Sequence, residues 1–168
     1  MASQLRVDKI LPVDGAPTGG GGGIVQVKCA TKVDQSLISS TSFEDVSGLS
    51  VDITPKFSTS KILVTVNVFA SCEDAAVLRL LFDSTLIGNG TGGASANERG
   101  FAMVRQDDGN LSSGHGIQIL HTPGDTSSHT YKVVARATSG SYALGINRRA
   151  DDTNYSLSSS ISVMEVSA

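Results

Sequence analysis

Three histidines, His115, His121 and His129, lie close together in sequence, and imidazoles at this density are the first candidates for metal or proton chemistry. A metal centre needs ligands that converge. His115 and His121 are six residues apart and would share one face of a strand. The nearest carboxylates, Asp107, Asp108 and Asp125, fall in turn-like segments and do not complete a set. No metal site is therefore expected, and exchanging all three histidines for glutamine is expected to leave stability unchanged. Gly88-Asn89-Gly90-Thr91-Gly92-Gly93 satisfies the spacing G-x-G-x-x-G. A dinucleotide site also needs a helix after the glycines, to present its N-terminus to the pyrophosphate. Ala94-Ser95-Ala96-Asn97-Glu98 is too short for that, so the match reads as a glycine-rich loop. Asp107-Asp108-Gly109-Asn110 and Asp151-Asp152-Thr153-Asn154 read as turns, where Asp and Asn bond their own backbone, because neither run offers enough oxygens for calcium. No Ser–His–Asp or Cys–His arrangement and no carboxylate pair has local support. The expectation is a protein without cofactor and without enzymatic activity.

Positioning falls to strands. The chain divides at Gly19-Gly20-Gly21-Gly22-Gly23, a flexible joint, since neither Lys-Ser/Thr nor a helical pattern follows to make it a phosphate loop. Ahead of the joint, Pro12 and Pro17 oppose a helix, while Leu5, Val7, Ile10, Leu11 and Val13 mark an extended arm that must bury its apolar side chains elsewhere. The organisation expected is an anchoring arm at 1–18, the joint at 19–23, and one β-sandwich domain at 24–168. Within that domain, apolar or alternating runs predict strands at 24–29, 43–46, 49–54, 61–69, 77–82, 85–87, 101–105, 116–120, 130–137, 142–146 and 160–166. Residues 61–69 form the longest and most apolar run and are expected at the centre of a sheet. Asp83-Ser84 would turn a hairpin between 77–82 and 85–87, and 130–137 alternates well enough to have one wet face. Many short strands at this spacing predict an all-β, antiparallel sandwich or barrel, and a single sandwich is the expectation. The longest polar insertion, 88–100, is expected to be a mobile outer loop.

Composition narrows the function classes. Of 168 residues only 17% are charged, the net charge is −3, and serine, threonine and 18 glycines make up much of the remainder. This balance gives no electrostatic footprint for nucleic acid, and the few aromatics give no stacking platform. The opening MASQLRVDKI is too polar for a signal peptide, and no apolar run approaches membrane-spanning length. Cys29 and Cys72 sit in apolar runs and are expected to be buried free thiols, as suits folding in a reducing cytoplasm. The sequons at Asn89, Asn110 and Asn154 carry little weight in so serine-rich a chain.

Several segments carry a family resemblance: Leu5-Arg6-Val7-Asp8-Lys9-Ile10-Leu11-Pro12-Val13-Asp14-Gly15-Ala16-Pro17, the glycine run with Ile24-Val25-Gln26-Val27, Ser42 through Pro55, Ser58 through Val64, and the ending Ile161-Ser162-Val163-Met164-Glu165-Val166. Together these resemble structural and fibre-type proteins of marine and cyanobacterial tailed phages. The match touches both ends and the first third of the chain, and 73–124 shows no assignable pattern. The resemblance implies a virion protein, made in the host bacterial cytoplasm, whose jelly-roll-like sandwich forms a homotrimer and whose arm plugs into the particle. The foremost expectation is a capsid decoration, or cement, protein that grips the major capsid protein or another virion protein. A tail fibre usually carries a long shaft, and none is seen here. The alternative is a short tail-fibre or tail-tip module that binds a host surface glycan or protein. On either reading 88–100 and 105–114 face outward, with Asn89, Asn97, Arg99, Phe101, Asp107 and Asp108 as the candidate contacts. Phe101, Tyr142 and Tyr155 are the aromatics a receptor groove would present.

Overall fold

The computed structural model describes residues 23–93, 95–106 and 111–167. The anchoring residues Leu5, Val7, Ile10, Leu11 and Val13, together with Asp107 and Asp108, lie outside the described residues. The described residues form eleven strands and a single 3-10 turn at Ala96–Glu98. The strands are β1 (Ile24–Lys32), β2 (Ser36–Ile38), β3 (Glu44–Ile53), β4 (Lys61–Ser71), β5 (Ala76–Phe82), β6 (Thr85–Ile87), β7 (Ala102–Val104), β8 (Ser113–His121), β9 (His129–Ala137), β10 (Leu144–Ile146) and β11 (Ser159–Val166). Sheet A runs β1-β11-β4-β10-β2, with β8 on the other edge of β4, and sheet B runs β3-β9-β5-β6, with β7 also on β5. All pairings are antiparallel and nest from the outside in: β1 with β11, β3 with β9, β4 with β8, β5 with β6. The two antiparallel sheets pack face to face as the all-β sandwich expected from the strand spacing.

Alternation explains the core. Along β4, Ile62, Val64, Val66, Val68 and Ala70 point inward and are buried, while Lys61, Leu63, Thr65, Asn67 and Phe69 point outward. Ile161 and Val163 of β11 extend this inward layer, which packs against Leu49, Val51 and Ile53 of β3, Leu78 and Leu80 of β5, and Tyr131, Val133 and Ala135 of β9. The break in β9's alternation is Val134, buried on the outward face.

The structure revises the sequence reading in several places. Segments 43–46 and 49–54 are one strand, β3, bent by a register shift between Asp45 and Ser50, with Gly48 at φ +86° in the left-handed region open to glycine. β2 was not anticipated, since three residues carry no measurable period. β8 is longer than expected because Gly114 and Gly116 mask its alternation. Cys72 is buried, but Cys29 is exposed: it sits on the outward face of β1, which among the described strands is an edge paired with β11 alone.

Ile62 of β4 is fully buried and belongs to the core cluster. Ile62→Ala should cost about 2–5 kcal/mol in denaturant unfolding, whereas Thr65→Ala, on the opposite face of the same strand, should stay within about 0.5 kcal/mol of wild type.

Candidate functional site

The outer face of sheet B is where the chain's unusual chemistry collects. Outward side chains there include Val77 and Arg79 of β5 and Lys132 and Arg136 of β9; Val77 stands opposite Arg136, and Arg79 opposite Val134. The segment between β6 and β7 folds back over this face. Gly100 is the pivot: a Cβ there would lie 2.4 Å from the Leu78 carbonyl oxygen and 2.6 Å from Val77 Cγ1, so only glycine permits the approach. Phe101 N–H donates to Leu78 O at 2.9 Å, and Gly90 N–H donates to Gly100 O at 3.3 Å. Arg79 then fastens the turn from below, donating from Nε to Arg99 O at 2.7 Å and from Nη2 to Ala96 O. Arg136 donates from Nε to Asn97 O at 3.2 Å and from Nη1 to Thr41 O at 3.3 Å. The Arg79 guanidinium lies 3.6 Å from the centroid of the Phe43 ring, and that of Arg136 lies 5.5 Å away, so both arginines share one aromatic platform.

The anticipated mobile outer loop is therefore a strap tied to the sheet by its backbone. Its side chains are placed unequally. Asn89 is spent on the strap's own entry, donating to Ile87 O and, at 3.5 Å, to Leu80 O. Asn97 is exposed, Phe101 packs on the core, and Arg99 is half-buried, with its Nε enclosed and without a partner. Phe101 is thus not the presented aromatic that a receptor groove requires. Tyr142 and Tyr155 are exposed. Tyr155 stacks with the Arg149 guanidinium at 4.2 Å beside a groove of about 220 Å³ lined by Leu111, Ser112, Arg149, Tyr155 and Leu157. The sequence reading missed Arg79, Arg136 and Phe43. The available signal was Arg79 in the otherwise apolar β5; Arg136 shares β9 with Lys132 and stood out less.

The histidines serve structure. His129 is buried at the start of β9 and is held on both nitrogens, by Asp83 Oδ2 at 2.9 Å through Nδ1 and by Asp125 Oδ1 at 3.0 Å through Nε2. Asp83 occupies the β5–β6 turn at φ +53°, and its Oδ1 also accepts from Thr130 N–H. Two connections are thereby pinned to one imidazole. His121 Nδ1 meets the Tyr131 hydroxyl at 2.8 Å, and Phe82 packs against both His121 and His129. His115 meets Ser113 Oγ at 2.9 Å. Burial opposes charge on His129, but hydrogen bonds and charge from Asp83 and Asp125 outweigh it and raise the pKa. The pKa of Asp83 is lowered by the Thr130 amide and by His129, and that of Asp125 by Ser127 and His129. Burial lowers the pKa of both His115 and His121. Among the described residues no three His, Cys, Asp or Glu side chains are grouped to hold a metal ion.

Two outcomes follow from this geometry. A raised histidine pKa contributes stability below its unfolded value and loses it as pH rises through the folded value. The lowered carboxylates contribute above their unfolded values and lose it as pH falls. The clamp is therefore strongest between about pH 4 and 6.5. In melts across pH, His129→Gln should be less stable than wild type, most so in that window, with the gap narrowing at higher pH. This replaces the expectation that the histidines are dispensable. Gly100→Ala should detach the strap, raising amide exchange across 95–101 while the β4 and β11 amides stay protected. Compared with known proteins, the chain matches no family model, and no curated protein is significantly similar to it in sequence.

Proposed function

We propose that this chain is a non-enzymatic structural protein of a tailed-bacteriophage particle, and in particular a trimeric capsid decoration protein anchored by its N-terminal arm. The observation that carries the reading is the state of the sheet edges. Edge strands are normally blunted by charge, proline, bulges or brevity. β1 carries Lys28, Lys32 and a register shift, β3 carries Glu44, Asp45, Asp52 and its bulge, and β2, β6 and β7 are three residues each. β8 has none of these protections. It is nine residues long, contains no charged residue and no proline, and pairs with β4 in unbroken register from Ser113 to His121.

An apolar row runs up to that edge. Val27 stands opposite Met164, Met164 opposite Leu63, and Leu63 opposite Leu120, all on the outward face of sheet A, with Val27 54% and Leu120 57% exposed. A surface of this kind suits packing beside further copies, where low net charge avoids repulsion. Engagement of both nitrogens of His129 in the clamp further supports a structural role. The alternative, a tail-tip module that binds a host surface glycan, draws its support from the groove at Arg149 and Tyr155.

Quantitative mass spectrometry of purified particles separates the two: a fixed ratio to the major capsid protein supports decoration, and a far smaller number supports a tail position. Deletion of residues 1–18 should leave a folded sandwich that is absent from particles, and normal incorporation would remove the anchoring role. In light scattering, Leu120→Lys should reduce the mass of the full chain towards 17.3 kDa with an unchanged melt. An unaltered mass would free sheet A from any part in assembly.

A further inference from the structure

We infer that Arg79, Arg99 and Arg136 form an anion site on the outer face of sheet B, which takes a tetrahedral oxyanion, a sulfate or phosphate group. This goes beyond the reading above and does not rest on it.

The first argument is like charge without a counter-charge. Arg79 and Arg136 are diagonal neighbours on adjacent strands, and the Arg99 backbone is bonded directly to Arg79. Like charges so placed repel. Three other buried or partly buried cations face a carboxylate, Lys32 with Asp34, Lys132 with Asp45 and Arg149 with Asp152, while Arg148 bonds the Arg149 carbonyl. Among the described residues no carboxylate lies within ion-pair distance of these three arginines. By register Asp45 stands opposite Val134 and Glu44 opposite Ala135, and Glu98 precedes Arg99 in the chain. Asp45 holds Lys132, Glu98 accepts from Ser95 N–H at 3.2 Å, and Glu44 makes no ion pair among the described residues. Burial, followed by the charges of Arg136 and Arg99, lowers the pKa of Arg79.

The second argument is unspent donors. Arg79 uses Nε and Nη2 on strap carbonyls, and Arg136 uses Nε and Nη1, so each fork is fixed in orientation with one terminal nitrogen left over. Arg99 makes no hydrogen bond through its guanidinium among the described residues, although its Nε is enclosed by protein. The enclosed Nε holds the base of the guanidinium in protein, and its two terminal nitrogens, without a bond among the described residues and not enclosed, are left for an oxyanion. Held forks lose little freedom on binding, which is why arginine suits such groups. Three positive groups also match a dianion better than a single carboxylate.

The test is a calorimetric titration of the full chain with sodium sulfate and sodium phosphate, against sodium chloride at matched ionic strength. The site predicts saturable binding near one ion per chain that chloride does not reproduce. Arg99→Gln should weaken it at least tenfold, and Arg136→Gln should also weaken it, while Arg148→Gln, on another part of the surface, binds as wild type. Arg99 ties the strap through its backbone oxygen alone, so Arg99→Gln should melt in chloride no lower than wild type. A purely structural arginine would instead lose stability. Absence of saturable binding, wild-type affinity in Arg99→Gln, or equal losses in Arg148→Gln would each overturn the site. Sulfated dextran, neutral dextran and inorganic sulfate then distinguish the source. Tighter binding of sulfated dextran than of the free ion points to a polymer-borne group, and equal binding per sulfate points to the small ion, with the site standing in both cases.

Discussion

Because β4 is hydrogen-bonded along both of its edges, its register dictates where the rest of sheet A can stand. One edge is taken by β8 from Ile62 to Ala70; the other is shared, by β11 up to Asn67 and by β10 at Ala70 and Ser71. Between the two partners on that shared edge lies a gap at Phe69 that no strand fills. Asn147, fully buried at φ +59°, closes it: its N–H donates to Phe69 O at 2.9 Å, while Ser159 Oγ accepts from Phe69 N–H at 2.9 Å and donates to Asn147 Oδ1 at 2.6 Å. The Asn147 amide then reaches Lys32 O at 2.8 Å and Asp34 O at 3.1 Å, joining the end of β1 to the same point. A buried polar junction is tolerable only when its groups are satisfied, and here the handover from β11 to β10 depends on it.

The two outer faces of the sandwich are finished differently. Sheet B is covered in part by its own chain, since the strap lies on Val77 and is held by arginines rising from β5 and β9. Among the described residues sheet A has no such cover, and β8 carries no charged residue. His129 ties the β5–β6 turn to the β8–β9 connection through Asp83 and Asp125. Glu165 does comparable work near the base of sheet A. Burial favours its neutral form, but hydrogen bonds from Gln26 Nε2 at 2.6 Å and from Lys56 N–H at 2.7 Å help keep it below the usual carboxylate range.

Alternation made most of the fold legible. It placed β4 at the centre of a sheet, gave the β5–β6 hairpin with Asp83 and Ser84 at its turn, and separated the two faces of β9. It failed where the period is too short or silent: in three-residue β2, and in β8 where glycines take outward positions. It also cannot rank the faces of an edge strand, which is why Cys29 was read as buried. The strap was illegible for another reason. Its attachment is made by backbone carbonyls of Ala96, Asn97 and Arg99, and acceptors of that kind leave no trace in residue identity. The histidines were judged by whether they could gather a metal, while their partners Asp83 and Asp125 came from two separate turns that only the fold brings to one ring.

The division of labour between the faces gives the two proposals a common geometry. Packed sheets stand about 10 Å apart, so groups that engage β8 and the Val27–Leu120 row approach from one side, and the arginine cluster faces the other. Copies associated through sheet A would then leave Arg79, Arg99 and Arg136 uncovered, with the strap already fixing the forks of Arg79 and Arg136. In a chain with so few charged residues, three arginines gathered without a carboxylate are hard to account for as general solubility. They are better understood as the part of the surface that packing does not use.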